Sequence, residues 1–377
     1  MDRKKNYQIS PIEMGISLVS LILGIGILTV PRGLANAVGT TDGWISILIA
    51  GIITMFAIYL YTRLQQNYPQ KTYLQYIAEG KVGKWGAKLI GLIFIFYFLT
   101  LVSLQSRLLA MAVKMYLIDQ TPSEVVVAII LLVITYAASK GVQGIVHIHL
   151  MFTPFIFFAL FSVIIFNLGE ADFGRLSPVM SEGIGPIIEG VLAPMFSFAG
   201  IILLFFFMSH MEVSTYRPLS LNLYMLIIIL TFTFLTITTY AIFGLEMTKV
   251  ITFPSIELAK EIELIGAFIE RLESLFLTVY IMAIFTTMAN ILLIIHKVVY
   301  EQFIGTQKHR SSIPAIILFV IFLAAFIPDS ITELESLGNF LAIFGVGLLI
   351  FLFIIGFLTV WLRNKRNNSS VEKSSQM

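Results

Sequence analysis

The sequence predicts an all-α integral membrane protein of about ten transmembrane helices. Hydrophobic residues make up 58% of the 377-residue chain and charged residues only 12%, whereas soluble domains carry roughly 25% charged residues. Apolar runs long enough to cross a bilayer recur from Ile9 to Leu362 and leave no stretch for a separate soluble domain. We therefore expect a single membrane domain over 1–377 that is surrounded by the lipid bilayer.

Ten helices are expected along the chain, because a helix needs about 20 mainly apolar residues to span the hydrocarbon core. Their expected ranges are 10–34, 43–64, 86–112, 123–138, 145–168, 186–209, 220–243, 272–296, 313–328 and 338–362. Apolar residues at steps of three and four predict a further amphipathic helix at about 255–271, which we expect to pack as a lid on the outer face. The polar residues at about 364–377 are expected to form a disordered cytoplasmic tail.

Charged residues separate the loops into two sets. Lys and Arg concentrate at the amino terminus, after each even-numbered predicted helix and in the tail, as Lys4, Arg63, Lys140, Lys297 and Arg363 illustrate. The other loops hold Asp and Glu instead, such as Glu170, Glu182, Glu246 and Glu333. The positive-inside rule then places both termini in the cytoplasm and makes the helix count even. The net charge of +2 gives no indication of nucleic-acid binding.

Two of the predicted helices carry helix-breaking residues near their midpoints. The first contains Gly24 and Gly26, and the sixth contains Pro194 and Gly200. Irregular backbone at bilayer depth is tolerated where it faces protein or a wet cavity, and a matched pair of interrupted helices is typical of transporter binding sites. Helices 1 and 6 correspond if the chain consists of two five-helix repeats. Because five is odd, the second repeat would be inverted relative to the first.

The two interruptions also indicate a class of ligand. The second half of helix 1 is expected to begin near Gly26 to Leu28, where free amides and the positive end of a helix dipole would stabilise a carboxylate. The first half of helix 6 is expected to end near Phe196 to Phe198 with free carbonyls, which suit an ammonium group. Together they suit an amino acid zwitterion. An alternative is that the glycines merely permit close helix packing.

The candidate ligand-binding residues lie on four helices. They are Gly24, Gly26, Ile27, Tyr97, Ser197, Phe198, Ala199, Gly200, Thr286 and Thr287. Those of helices 1 and 6 follow from the interruptions, whereas Tyr97, Thr286 and Thr287 lie near the middle of helices 3 and 8 and could close the pocket. An alternative for the threonines is that they bond carbonyls of their own helix.

The sequence contains no pattern of residues that indicates catalysis or metal binding. Cysteine is absent, and His147 and His149 are two residues apart, which places them on different faces of a helix. We therefore predict no enzyme activity, no cofactor and no metal site. We also expect no ionisable side chain near the membrane midplane, which argues against a proton-coupled carrier but leaves a sodium site of carbonyls and hydroxyls open.

Three segments resemble the spore germination permease family, the B subunits of nutrient germinant receptors. They are Gly24 to Arg32; Tyr68-Pro69 with Thr72, Tyr76 and Gly83-Lys84-Trp85-Gly86; and Phe268 to Phe276. The resemblance implies membership of the amino acid/polyamine/organocation superfamily and a LeuT-like fold, with 5+5 inverted repeats and broken helices 1 and 6. It also implies residence in the inner spore membrane, a complex with A and C receptor subunits, and germination triggered by an amino acid germinant.

Two functions stay open at this point. In the first, the chain is a sensor in which nutrient binding shifts the populations of two bundle conformations and the partner subunits respond. In the second, it is an amino-acid permease that transports its substrate, because one fold can host several functions. A third class, an uncoupled conduit for water or ions, would need a continuous polar lumen.

Overall fold

Fifteen α-helices form the framework of residues 7–262, 272–305 and 312–375, which the computed structural model describes. They are α1 Pro11–Gly26, α2 Val30–Val38, α3 Gly43–Gln65, α4 Tyr73–Ile77, α5 Lys81–Tyr116, α6 Ser123–Ser139, α7 Gly141–Asn167, α8 Gly185–Gly190, α9 Leu192–Phe198, α10 Leu204–Phe207, α11 Pro218–Val250, α12 Pro254–Lys260, α13 Leu272–Val299, α14 Ser312–Ala325 and α15 Ile331–Ser375. Extended pairing within these ranges is confined to a single parallel bridge between Ile9 and Met211.

The apolar segments of the described residues correspond to the predicted spans. Seven helical segments are long and apolar enough to cross a membrane, and α1 and α2 form an eighth as a pair bent by 59°. The helices α6 and α14 are shorter but also apolar. The segment Gly185–His210 is one of the seven, although it consists of short helices joined end to end. The prediction of an all-α membrane fold with broken helices 1 and 6 is therefore confirmed.

Several boundaries differ from the expected ones. The first predicted span divides into α1 and α2 and continues to Val38, where Gly39 in the left-handed region (φ 71°) ends it. The last helix continues to Ser375, so the tail expected to be disordered from about 364 is helical up to that residue. Neither glycine nor proline follows Gly356 to end the helix. The predicted lid at 255–271 is helical over Pro254–Lys260, while 263–271 lie outside the described residues.

The spans alternate between two ends of the bundle. We call the end where α1 and α5 begin the basic end; its contacts include the pairs Arg363 with Glu79 at 2.6 Å and Lys71 with Glu79 at 2.6 Å. We call the opposite end, where α2 ends and α12 lies, the acidic end. The last helix, α15, runs from the acidic to the basic end. The basic end therefore holds both the beginning of α1 and the end of α15. That the basic end faces the cytoplasm stays a prediction of the positive-inside rule.

The short helices α4 and α12 occupy corresponding positions in the two halves, one after the second span and one after the seventh. Tyr73 of α4 packs its ring edge-on against Phe205 of the sixth span, with 5.1 Å between ring centroids. Ser255 of α12 donates a 2.6 Å hydrogen bond to the carbonyl of Ile27, at the break of the first span. Each half of the chain therefore holds the broken span of the other half, at opposite ends of the bundle, as inverted repeats require.

Candidate functional site

The break in the first span is a turn at 27–29, between α1 and α2. The amide of Ile27 still donates to Leu23 O at 3.0 Å, and the amide of Thr29 donates to Gly26 O at 3.1 Å. The amide of Leu28 lies between them and has no hydrogen-bond partner among the described residues. Because α2 begins directly after this turn, the positive end of its dipole adds to the field around the free amide. The turn is therefore suited to accept a carboxylate.

The break in the sixth span lies between α9 and α10. Regular α-helix ends at Phe198, and a 3-10 turn over Ala199–Leu203 replaces it. At this point the amide of Ala199 donates to Met195 O. The Ser197 hydroxyl is fully buried, and Ser197 Oγ has no hydrogen-bond partner in the described part of the chain. A buried hydroxyl left without a partner is unfavourable unless water or a ligand satisfies it.

The two breaks are in direct contact. A Cβ added at Gly26 would lie 2.3 Å from Ser197 Oγ and 2.7 Å from Phe232 Cζ. At Gly200 an added Cβ would lie 2.9 Å from Cγ1 of Ile22. These glycines are required for close approach, because a methyl group at Gly26 would overlap its neighbours. The structure thus brings the predicted residues of helices 1 and 6 together.

The eighth span, α13, packs against α1 beside the break. An added Cβ at Gly24 would lie 2.2 Å from Thr287 Oγ1. The Thr287 hydroxyl donates to Leu21 O at 3.2 Å, and the Thr286 hydroxyl lies 2.8 Å from Ser20 Oγ. Thr286 also bonds Ala283 O of its own helix at 2.7 Å. Both predicted threonines therefore join α13 to α1, and their hydroxyls are already hydrogen-bonded.

Three other predicted residues have structural partners. Tyr97 stacks on Phe344 of α15, with ring centroids 6.0 Å apart, and its hydroxyl lies 2.8 Å from the position of a Cβ at Gly345. These contacts join α5 to α15, and neither break contributes to them. Phe198 stacks on Phe232 at 6.1 Å between centroids. The carbonyl of Ile27 is bonded by Ser255 and is therefore not a free acceptor.

Sequence reasoning missed several residues that the structure places at or near the breaks. Phe232 and Ser255 come from α11 and α12, and only the fold brings them beside α1. The sequence could have indicated Ser20. It lies four residues before Gly24, about one helical turn away, and therefore on the same face of α1. No pattern within α11 distinguishes Phe232 from its aromatic and threonine neighbours.

His149 bears on the expectation about ionisable side chains near the membrane midplane. It lies eight residues into α7, roughly 12 Å along that helix, and its side chain is completely buried. The backbone of Thr286 in α13 is the polar group beside its ring. The absence of an ionisable side chain near the membrane midplane stays a prediction, but the sequence argument did not consider His149, which is buried inside the bundle. Buried ionisable residues in membrane proteins commonly have functional roles.

A cavity of about 480 Å³ opens next to the breaks at the acidic end. Thr29 and Val30 line it from the break in the first span, and Phe196 lines it from the sixth. We call this cavity the vestibule. Across it, Arg32 of α2 forms a 3.0 Å ion pair with Glu335 of α15; the two side chains are 16% and 43% exposed. The Arg32 Nε also donates to the carbonyl of Lys249 at 3.2 Å.

Known proteins of similar sequence are spore germination proteins. A family model described as "Spore germination protein" matches residues 8–334. The chain is 30% identical over 358 residues to spore germination protein A2 of Bacillus subtilis (strain 168), which covers 93% of this chain and 95% of that protein. It is 26% identical over 369 residues to spore germination protein GerLB of Bacillus cereus, covering 96% of each.

Solved structures of similar fold are membrane transporters. The nucleobase-cation-symport-1 family transporter Mhp1, in a closed conformation with bromovinylhydantoin bound, has a TM-score of 0.64 at 12% identity, over 89% of this chain and 78% of that chain. A Na⁺-coupled sialic acid symporter in a substrate-bound outward-open state has a TM-score of 0.59 at 11% identity, over 94% and 78%. At this level of identity the likeness shows the fold, which is the LeuT-like transporter fold.

Proposed function

Because the chain belongs to the spore germination protein family, we propose that it is the B subunit of a nutrient germinant receptor and binds a small nutrient, an amino acid, between its two broken helices. The family match over residues 8–334 confirms the resemblance that three sequence segments indicate. Binding of the nutrient triggers germination through the A and C subunits of the receptor. The chain acts as a binding protein in the inner spore membrane, with both termini cytoplasmic, and not as an enzyme.

The observation that carries this proposal is that each break holds an unsatisfied polar group, while Gly26 and Ser197 bring the two breaks into contact. The free amide of Leu28 and the positive end of α2 suit a carboxylate. At the sixth span, the buried Ser197 hydroxyl is available next to the point where α9 gives way to the 3-10 turn. An amino acid would satisfy these groups with its two charged ends, whereas an apolar ligand would leave them unpaired.

The vestibule provides a route from the acidic end to this site. Its wall includes Thr29 and Val30, which directly follow Leu28 and its free amide in the chain. Gly26 and Ser197 are in direct contact, so the two breaks touch each other and leave no room between these residues. Entry of an amino acid therefore requires that the two breaks move apart. A ligand that binds only the separated arrangement would shift the population of the bundle towards it, and the partner subunits would respond to that shift.

The alternative function is an amino-acid permease. It is favoured by the completely buried imidazole of His149, since proton-coupled carriers use ionisable groups inside the membrane as relays. A permease must expose its site to both sides in turn, whereas a sensor needs only two conformations with different affinities for the ligand.

Spores and growing cells of one deletion strain distinguish the two functions. Germination of the spores is measured with a panel of amino acids, and uptake of the same labelled amino acids is measured in growing cells. The receptor proposal expects a germination defect limited to particular amino acids, with normal uptake. Lost uptake with normal germination would make the chain a permease and overturn the proposal.

A further inference from the structure

A second cavity, of about 1000 Å³, lies at the basic end of the bundle. Its walls are α4, the start of α5, the end of α6, the end of α13 with the π-helical turn Tyr300–Ile304, and the start of α14. None of its lining residues belongs to either break or to the vestibule. The cavity is therefore separate from the proposed nutrient site.

The lining of this cavity carries an excess of positive charge. Lys84 and Lys88 line it from α5 and Lys297 from α13, against the single carboxylate of Glu301. Within the described residues, none of these lysines forms an ion pair within 4 Å with a carboxylate. Glu301 offsets part of the charge of Lys297, which leaves Lys84 and Lys88 uncompensated. An anion is therefore the ligand that the cavity favours.

A polar group on the wall is also unsatisfied. His296 lines the cavity beside Lys297, and its Nε2 is buried without a hydrogen-bond partner among the described residues. Buried polar nitrogens are normally hydrogen-bonded to protein or water. An anion that carries several oxygens would satisfy this nitrogen together with the lysines, which bind phosphate as point charges.

The cavity lies at the depth of the membrane interface. Four exposed aromatic side chains at the basic end each have a cation over the ring within 6 Å: Tyr59 with Arg63, Trp85 with Lys88, Tyr136 with Lys140, and Trp361 with Lys365. Exposed Trp and Tyr concentrate at the level of the lipid headgroups, and Lys and Arg extend towards the same level. Because Lys88 belongs both to this ring of pairs and to the cavity lining, the cavity opens at headgroup depth.

Apolar surface continues from the cavity towards the membrane centre. Trp85 is 77% exposed, and Leu89 and Leu92 follow it along α5 with 60% and 56% of their side chains exposed. On α6, Leu132 is 65% exposed one turn from the lining residue Thr135. Acyl chains of a lipid could lie along these two helices while its headgroup occupies the cavity. A free anion would make no use of this surface.

We propose that this cavity binds the phosphate of an anionic phospholipid. Lys84 and Lys88 contact the phosphate, His296 hydrogen-bonds to the headgroup, and the acyl chains lie on the exposed faces of α5 and α6. The bound lipid would connect α5, α6 and α13, and so would stabilise the basic end of the folded chain.

The test measures thermal unfolding of the full chain in a neutral detergent with added phosphatidylglycerol, phosphatidylcholine or inorganic phosphate. Phosphatidylglycerol is expected to raise the unfolding midpoint of the wild type, while phosphatidylcholine and inorganic phosphate have little effect. Each lysine contributes about fivefold to the apparent affinity for an anionic lipid, so Lys84→Gln with Lys88→Gln should weaken it about 30-fold. The control, Arg63→Gln with Lys365→Gln, removes the same charge from the same end outside the cavity and should retain wild-type affinity.

Three outcomes would overturn the proposal. Equal effects of phosphatidylglycerol and phosphatidylcholine would show that no anionic headgroup is recognised. Equal loss of affinity in both double variants would show general attraction to a basic surface. An equal shift with inorganic phosphate would identify a free anion as the ligand. If the cavity double variant does not fold, the single Lys88→Gln variant should still weaken the affinity about fivefold, and an unchanged affinity would count against the site.

Discussion

Ser197 buries a hydroxyl that has no hydrogen-bond partner among the described residues. Leaving such a group unsatisfied costs roughly 1–3 kcal/mol, so Ser197→Ala should leave the stability of the ligand-free protein unchanged or slightly raised. If the hydroxyl binds the nutrient, the same variant should raise the nutrient concentration for half-maximal germination about tenfold. The measurement is a dose-response curve of germination for spores that carry the variant.

A matched control for this variant is Ser106→Ala. The Ser106 hydroxyl is also fully buried, but it bonds Val102 O of its own helix at 2.8 Å. Its removal should leave the dose-response curve unchanged. A normal curve for Ser197→Ala would exclude its hydroxyl from the ligand site.

Gly26 is the second residue on which the site depends. A leucine there would overlap Ser197 and Phe232, because even a Cβ would lie 2.3 Å and 2.7 Å from their atoms. Gly26→Leu is therefore expected to abolish the germination response while the protein stays in the membrane. The measurements are germination of variant spores and the amount of protein in their membranes. The control is Gly347→Leu, since no atom lies within 4 Å of a Cβ at Gly347. A full response from Gly26→Leu would contradict the placement of the site.

At the residue scale, the sequence predicts only those site residues that change the backbone of a helix. Gly24, Gly26 and Gly200 could be predicted because glycine is a weak helix former and indicates an interruption when it lies near the middle of an apolar helix. Thr286 and Thr287 were expected to close the pocket, and the structure places them beside α1, where their hydroxyls are hydrogen-bonded to that helix. The unpartnered state of such hydroxyls depends on distant neighbours, so no local pattern could distinguish Ser197 from these threonines.

Among the elements, α12 is held to the first break by one hydrogen bond. Ser255 Oγ donates to Ile27 O at 2.6 Å, and both residues are buried. Ser255→Ala should cost about 1 kcal/mol of folding free energy and change the nutrient concentration for half-maximal germination, because the turn at 27–29 loses its support.

Ser46→Ala is the control for α12. Ser46 Oγ donates a similar 2.7 Å bond to Ile187 O, between α3 and α8. Thermal unfolding should show a similar loss of stability for the two variants, while only Ser255→Ala shifts the germination curve. Equal curves for the two variants would mean that α12 has no role in the response.

The second prediction at the element scale concerns the ion pair between Arg32 of α2 and Glu335 of α15. The single variant Arg32→Glu should place two carboxylates across the vestibule and shift the germination curve. The double variant Arg32→Glu with Glu335→Arg restores opposite charges and should return the curve part of the way to that of the wild type. A partly exposed pair of this kind contributes roughly 0.2–1 kcal/mol, so the expected shift is about 1.4-fold to fivefold. Additive effects of the two substitutions, measured in the same assay with Glu335→Arg alone, would show that the ion pair itself does not influence the response.

The position of the first break illustrates what the sequence can predict about an element. Gly24 and Gly26 indicated an interruption near 26–28, and the structure has the turn at 27–29. The helix persists to Gly26 because the amide of Ile27 still bonds Leu23 O. It restarts at Val30 because Pro31 occupies the first turn of α2, where proline is favoured. The end of α15 was missed because polar composition predicted disorder where nothing interrupts the helix.

For the whole molecule, hydropathy and the distribution of charge were sufficient to predict the fold. Ten apolar segments with two interruptions at corresponding positions indicate inverted repeats. The vestibule, the contact between the breaks and the cavity at the basic end were not predictable, because they form between helices that are distant in the sequence. The fully buried His149 was missed for the same reason: its orientation depends on how α7 packs in the bundle.

The nutrient site at the two breaks is tested most directly on the purified full chain. Thermal unfolding is measured with each of the standard L-amino acids for the wild type, Gly26→Leu, Ser197→Ala and Gly347→Leu, since a ligand that binds the folded state raises the unfolding midpoint. We expect at least one amino acid to raise the midpoint of the wild type and of Gly347→Leu, with the effect lost in Gly26→Leu and weakened in Ser197→Ala. A midpoint that no amino acid raises, or one that is raised equally in all four proteins, would contradict binding of an amino acid between the broken helices.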